Sequence, residues 1–272
     1  MKCLFFVVVA FLFSVSPVFA QWPVLHTNSP ETSGRGNLYT AIGVEYLAKH
    51  QASSGPIPRD LLRTFVASAH VGVSENVNLD LDWKGGLLTT LQNGSRGYDW
   101  GDLSVATRIY ILAERSWLPS MGIRTAVKLP NTSYAPYGLG NDETDYNLQL
   151  LFGKKVGHIN TWLNVGLGII GDPVNAGRQN DVYQLQFAAF VPIGESTKVF
   201  SEILGMTGYL RDDDKLVQRF GVMQTFGDLT FGMYSSFRIG GNERDFGAAF
   251  DLSEHWSIGI SFQRAFTVDV FD

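Results

Sequence analysis

The stretch "HINTWLNVGLGII", His158 to Ile170, alternates without a break. Ile159, Leu163, Val165, Leu167 and Ile169 share one face with Thr161, while His158, Asn160, Trp162 and Asn164 share the other with Gly166 and Gly168. Side chains of an extended chain point to opposite faces in turn, so alternation of this length specifies one long strand with an apolar and a polar side. Upstream, "DYNLQLLF" sets Tyr146, Leu148, Leu150 and Phe152 against Asn147 and Gln149, and "GKKVG" joins the two runs as a hairpin turn.

The same stretch holds Gly166, Gly168 and Gly171 in the order G-x-G-x-x-G. A dinucleotide site needs the third glycine to open a helix whose N-terminus faces the pyrophosphate. Here Gly171 leads into "DPVNAGRQND", with Pro173 and no helical period. The glycines read as small residues on the polar side of a strand, and no nucleotide or other cofactor is expected.

Working outward, the period persists. "GDLSVATRIYIL" turns Leu103, Val105, Ile109 and Ile111 one way and Asp102, Ser104, Arg108 and Tyr110 the other. "SMGIRTAVKL" opposes Met121, Ile123, Val127 and Leu129 to Arg124 and Lys128, and "VNLDLDW" opposes Val77, Leu79, Leu81 and Trp83 to Asn78, Asp80 and Asp82. Further candidates are Leu38–Leu47, Thr64–Val73, Val182–Val191, Val199–Thr207, Leu216–Phe226, Leu229–Ile239, Phe246–Asp251 and Trp256–Phe266. No segment carries a convincing helical period. Short turns (74–76, 153–157, 193–197, 227–228) alternate with longer polar loops (48–62, 84–101, 130–144, 171–180, 209–215). That alternation predicts up-and-down hairpins with short turns at one rim and long loops at the other.

Two all-β architectures satisfy such a pattern, and energetics choose between them. A soluble sandwich buries its apolar face, whereas a membrane barrel turns that face to lipid and lines its lumen with the polar one. An arginine on the lipid face would cost about 2–4 kcal/mol near the midplane. Arg108, Arg124, Lys128 and Arg238 all fall on the polar parity. Strands of ten residues or so match a tilted membrane span, and Tyr46, Trp83, Trp117, Phe226 and Trp256 stand near strand ends, where an aromatic girdle belongs. The fold class expected is therefore all-β: an up-and-down antiparallel transmembrane β-barrel of about twelve strands, with fourteen as the alternative. Bacterial single-chain barrels use an even number. The odd candidate is either spurious or marks a strand missed, in 84–101 or at the C-terminus.

Composition agrees. Charged residues make up 17% of the chain, below the usual quarter of a soluble domain, and there are 29 glycines. "MKCLFFVVVAFLFSVSPVFA" reads as a secretory leader: Lys2, an apolar run from Leu4 to Phe13, Ser16-Pro17, then Val18-Phe19-Ala20 for cleavage. The domain reading is 1–20 signal peptide, 21–36 N-terminal periplasmic segment and 37–272 barrel in the outer membrane. The sole cysteine, Cys3, lies in the leader, so disulfides, thiolate metal sites and cysteine nucleophiles are excluded from the mature chain. With 21 basic against 26 acidic residues and no basic block, nucleic acid is not an expected partner.

Several segments together resemble an outer-membrane family named for the meta-pathway of phenol degradation, whose members are described as transporters. They are "PVLHTNSPETSGRGNLYTAIGVEY", "GDLSVATRIYIL" and "GIRTAVKLPN…YGLGNDETDYNLQLLFGKKVGHINTWLNVGLG", with "KLPN", Lys128 to Asn131, the most specific part. The resemblance covers about two-thirds of the chain and implies an outer-membrane channel for small molecules, aromatic or otherwise apolar. One departure concerns assembly. Barrels handled by the barrel assembly machinery commonly finish on an aromatic residue, and here Phe271 stands one place early.

Candidate site residues follow from the inward parity. Arg108, Arg124 and Lys128, facing Glu45, Asp80, Asp82, Asp102 and Glu202, would either line an aqueous constriction or pair off and plug the barrel. Arg238, Asn147, Asn160 and Asn164 add polar lumen lining. His26, His50, His70, His158 and His255 lack metal-ligand spacing, so no metal is expected, and "RDDDK" (211–215) lacks an EF-hand pattern. Ser68 and His70 point inward from one strand and carry the competing reading, a lipid-modifying barrel enzyme. A third reading is a structural or adhesive barrel that binds a partner through its long loops. The leading expectation is a passive channel, not an enzyme, with the lipid bilayer and a small solute as its partners.

Overall fold

The computed structural model describes residues 24–50, 59–90, 94–133, 135, 137, 139–171, 179–208, 214–241 and 255–268. Among them the chain forms fourteen β-strands: β1 (Asn37–His50), β2 (Arg59–Ser74), β3 (Val77–Trp83), β4 (Gly86–Thr90), β5 (Arg96–Trp100), β6 (Leu103–Leu112), β7 (Ser120–Leu129), β8 (Asp145–Val156), β9 (Ile159–Gly171), β10 (Gln179–Ile193), β11 (Thr197–Gly208), β12 (Lys215–Phe226), β13 (Leu229–Gly241) and β14 (Trp256–Thr267). Each long strand pairs antiparallel with its neighbours in sequence. Pairing of β1 with both β14 and β2 closes the ring. Closure removes the unpaired edges that an open sheet would expose to lipid.

The closed wall has twelve staves, and β4 and β5 are the two extra strands. They continue β3 and β6 beyond a break at Lys84-Gly85 and Gly101-Asp102. Lys84 N donates to Asp102 O at 3.0 Å, and Gly101 N donates to Gly85 O at 2.6 Å, so the break is itself hydrogen-bonded. Gly85 has φ +73°, and a Cβ there would lie 2.0 Å from Thr64 O. Opposite it on β2, Phe65 has φ +57° on the outer face. The bulge therefore runs through adjacent staves and shifts side-chain parity by one: Lys84 and Leu87 both face in. A one-residue slip exchanges the two faces, so 84–101 shows no continuous alternation although it is strand on both sides of the bulge. The candidate Phe246–Asp251 lies outside the described residues, as do the leader and Phe271.

The inside-out arrangement is explicit. Leu150, Val165, Leu167, Leu185, Phe220, Met233, Ile260 and Phe262 are exposed on the outer face, whereas Arg108, Gln149, Asn164, Gln186 and Glu202 are almost wholly buried within. Tyr46 packs on Trp256 at 5.4 Å, and Trp83 stacks on Trp100 at 5.7 Å, both toward the long-loop rim. Trp117 and Phe226 lie bare at the other rim. These are the two girdles of a transmembrane barrel.

Depth along one strand supplies a test. Val165→Arg, at the middle of β9, is expected to destabilise the folded barrel by about 2–4 kcal/mol, and Ile159→Arg, at the rim, by about 0–1 kcal/mol. Urea unfolding in phospholipid vesicles measures both, and equal costs would place the membrane elsewhere.

Candidate functional site in the barrel lumen

The segment expected on the periplasmic side, described from Val24 to Gly36, lies inside the barrel. It leaves the start of β1 at the short-turn rim and follows the inner wall. Near that rim Asn78 clasps Ser33: Ser33 N donates to Asn78 Oδ1 at 2.9 Å, and Asn78 Nδ2 donates to Ser33 Oγ at 2.8 Å. Farther on, Arg108 Nη1 donates to Ser29 O at 3.1 Å. Asn164 clasps Asn28 in both directions, accepting from Asn28 N at 3.0 Å and donating to Asn28 O at 3.1 Å. Glu202 Oε1 then accepts the amides of His26 and Thr27 at 2.9 and 2.5 Å, and Arg219 Nη1 donates to Val24 O at 3.0 Å. Val24 and Leu25 end in an apolar nest of Phe190, Phe200, Met223 and Tyr234.

A chain without alternation cannot pair as a strand, so its buried amides and carbonyls need side-chain partners. The lumen wall supplies them from β3, β6, β9, β11 and β12. The wall also makes room. A Cβ on Gly72 would stand 1.7 Å from Gly34 O, and one on Gly153 would stand 2.9 Å from Pro30 Cγ. Gly72→Ala is expected to push residues 32–36 off the wall. Maleimide labelling of a single cysteine at Ser29 should then rise about tenfold, since labelling follows the population of the opened state. An unchanged rate would show that the segment does not need that glycine.

Gly166 and Gly168 serve a different neighbour. A Cβ at Gly168 would meet Gln184 Nε2 at 2.9 Å, and one at Gly166 would meet Gln149 Cγ at 2.8 Å. These glycines accommodate long amide side chains that line the same wall.

The expected basic and acidic residues do not form two rows facing across the lumen. Asp80, Asp82, Asp102, Arg108, Arg124 and Lys128 pair along one side of the wall, on β3 and β6 to β8, while Glu45 and Glu202 pair elsewhere. Asp80 is wholly buried: Arg108 Nη2 lies 3.0 Å from its Oδ1, His70 Nδ1 lies 2.9 Å from the same atom, and Arg124 Nε lies 3.8 Å from Oδ2. Arg124 Nη2 stands 3.5 Å from Asp82. Lys128 bonds Asp145 at 2.7 Å, meets Asn141, and lies 3.6 Å from Asp102. The other oxygen of Asp102 accepts the amides of Asn131 and Thr132 at 2.8 Å each, which ties the "KLPN" turn to the bulge. Glu45 pairs with Arg63 on β2, and Glu202 has Arg219 at 3.7 Å. Asn147 donates to Gln184 at 2.6 Å. Asn160 and Arg238 stand apart from these clusters, near opposite ends of β9 and β13.

The N-terminal segment thus shares the lumen with these charged pairs. Desolvation deep in the lumen holds the pKa of His26 well below its ordinary value, and the Arg219, Lys84 and Arg63 charges add to the effect. Sequence reading passed over Arg63, Asp145, Arg219 and Asn28. The parity of Arg219 was readable; that of Arg63 was masked by the Phe65 bulge. Ser68 Oγ has no hydrogen-bond partner among the described residues, so it is not bonded to His70, whose Nδ1 pairs with Asp80.

No family model and no curated protein matches the chain. Among solved structures it is similar to the NanC porin, with 9% identity and a TM-score of 0.55 over 84% of this chain and 98% of that one. It is also similar to the translocator domain of the autotransporter NalP from Neisseria meningitidis, with 12% identity and a TM-score of 0.49 over 85% and 88%. The likeness to the porin is one of fold: this chain is a closed antiparallel β-barrel of the outer-membrane type.

Proposed function

We propose that the protein is an outer-membrane channel for small solutes, held shut at rest by its own N-terminal segment. The observation that carries this reading is how residues 24–33 are held. Most of their anchors are hydrogen bonds to side chains of the wall, which water can replace on release, while the wall keeps its own backbone ladder. Ion pairs along one flank support a lumen that stays polar once vacated. The resemblance to phenol meta-pathway transporters agrees with a transport role, and passage is passive, since the lumen itself supplies no energy source. The disengaged Ser68 and His70 favour a channel over a lipid hydrolase.

Single-channel recording in planar bilayers tests the reading. The native protein should give rare, brief openings that become frequent when residues 24–33 are unclasped. Silence from folded protein in both forms would overturn it. Lipid hydrolysis lost on His70→Ala would instead establish the enzyme.

A further inference from the structure

A cavity of about 170 Å³ lies between the seated segment and the long-loop half of the barrel. Its floor is Val24, His26 and Asn28, and its walls come from β1 to β3, β7, β8 and β14. Four cationic side chains line it (Arg63, Lys84, Arg124, Lys128) against three carboxylates (Glu45, Asp82, Asp145). Two of those carboxylates are already engaged, Glu45 by Arg63 and Asp145 by Lys128.

Arg124 differs from Arg108 and Lys128 on the charged flank. Its side chain is only 10% exposed, yet its guanidinium makes no hydrogen bond among the described residues, and its carboxylate neighbours stand at 3.5 and 3.8 Å. Among the residues that line the same cavity, Ser68 Oγ, Asn147 Oδ1 and Ser261 Oγ are further buried polar atoms without a partner among the described residues. Buried polar atoms are ordinarily satisfied, and a guanidinium fork is matched to a carboxylate. Unused donors and an acceptor converging on one enclosed space specify what would complete them.

We infer that this cavity is a binding site for a small hydroxycarboxylate, the carboxylate taken by Arg124 in exchange for Asp82 and a hydroxyl donated to Asn147 Oδ1. Alanines 41, 67 and 126 leave an apolar strip for a short carbon chain. Asp82 is the competitor within the site: 39% exposed in its side chain, it holds Arg124 loosely until the ligand arrives. The site rests on the channel reading only in naming the bound molecule as cargo.

Calorimetric titration of the detergent-folded, full-length protein with lactate is the test, with lactamide as the uncharged control. Lactate should bind and lactamide should bind about tenfold more weakly, the worth of one charge-assisted bond. Arg124→Met should abolish lactate binding. Because that change also strips Asp80 of a neighbour, Arg124→Lys and Asp82→Asn accompany it, each checked for a heat-modifiable folded band. Arg124→Lys should weaken binding about tenfold by losing the fork, and Asp82→Asn should strengthen it about threefold by removing the competitor. Equal binding of lactate and lactamide, no binding of either, or weaker binding in Asp82→Asn would overturn the site. Calorimetric binding in a protein that never conducts would sink the channel reading while leaving the site intact.

Discussion

Replacing Asn78 and Asn164 together by alanine is expected to raise the open probability of the barrel roughly a thousandfold. Each asparagine makes two hydrogen bonds to the seated segment, Asn78 to Ser33 and Asn164 to Asn28. At about 1 kcal/mol apiece, four bonds amount to about 4 kcal/mol of the balance between seated and released segment, and each 1.4 kcal/mol is a tenfold change. Neither substitution strands a buried charge, so the barrel wall should fold as before. The two sites act on one continuous segment, so the effects combine if it leaves as a unit. Single replacements should each give about thirtyfold, the square root of the double effect. Recordings from variants that still migrate as folded barrels on unheated gels decide the matter. A folded double variant as quiet as the native protein would remove the N-terminal segment as the closure.

Asp80→Ala should cost the folded barrel about 3–5 kcal/mol. Asp80 is fully buried and answers His70, Arg108 and Arg124 together. Its removal leaves Arg108, 1% exposed, with Ser29 O as its remaining hydrogen-bond acceptor, and leaves Arg124 with Asp82 alone. Desolvated charge without a counter-ion is among the few single changes that reach this magnitude. Asp80→Asn, which keeps an acceptor but not the charge, should fall between the two. The urea midpoint for unfolding in vesicles measures the series. An alanine variant with the native midpoint would mean that water, not Asp80, satisfies those arginines.

The parity of "HINTWLNVGLGII" already carried the architecture. Val165 and Leu167 face outward and Asn164, Gly166 and Gly168 inward, as the alternation required, and Asp80, Arg108, Arg124, Lys128 and Glu202 lie on the inner face by the same parity. Period 2 is a local property: each residue is placed relative to its neighbours, and no distant partner is consulted. The signal failed where a local rule was broken. At Gly85, Gly101 and Phe65 one extra residue exchanges the faces, which hid β4, β5 and the inward orientation of Arg63.

Pairing among the charged residues was another matter. Arg108 meets Asp80 because β3 and β6 lie side by side, with β4 and β5 prolonging the same two staves, a neighbourhood set by sheet register. Residues 24–33 show no period at all and resemble any polar loop. Their partners outside the segment are 43 to 195 positions away along the chain. Alternating hydrophobicity written into the sequence settles which way each strand residue points, because lipid and lumen reward opposite chemistries at adjacent positions. Which charge neutralises which, and that residues 24–36 occupy the lumen, belong to the closed barrel. Only closure brings β3, β9 and β11 around one narrow space and leaves their side chains no other backbone to satisfy.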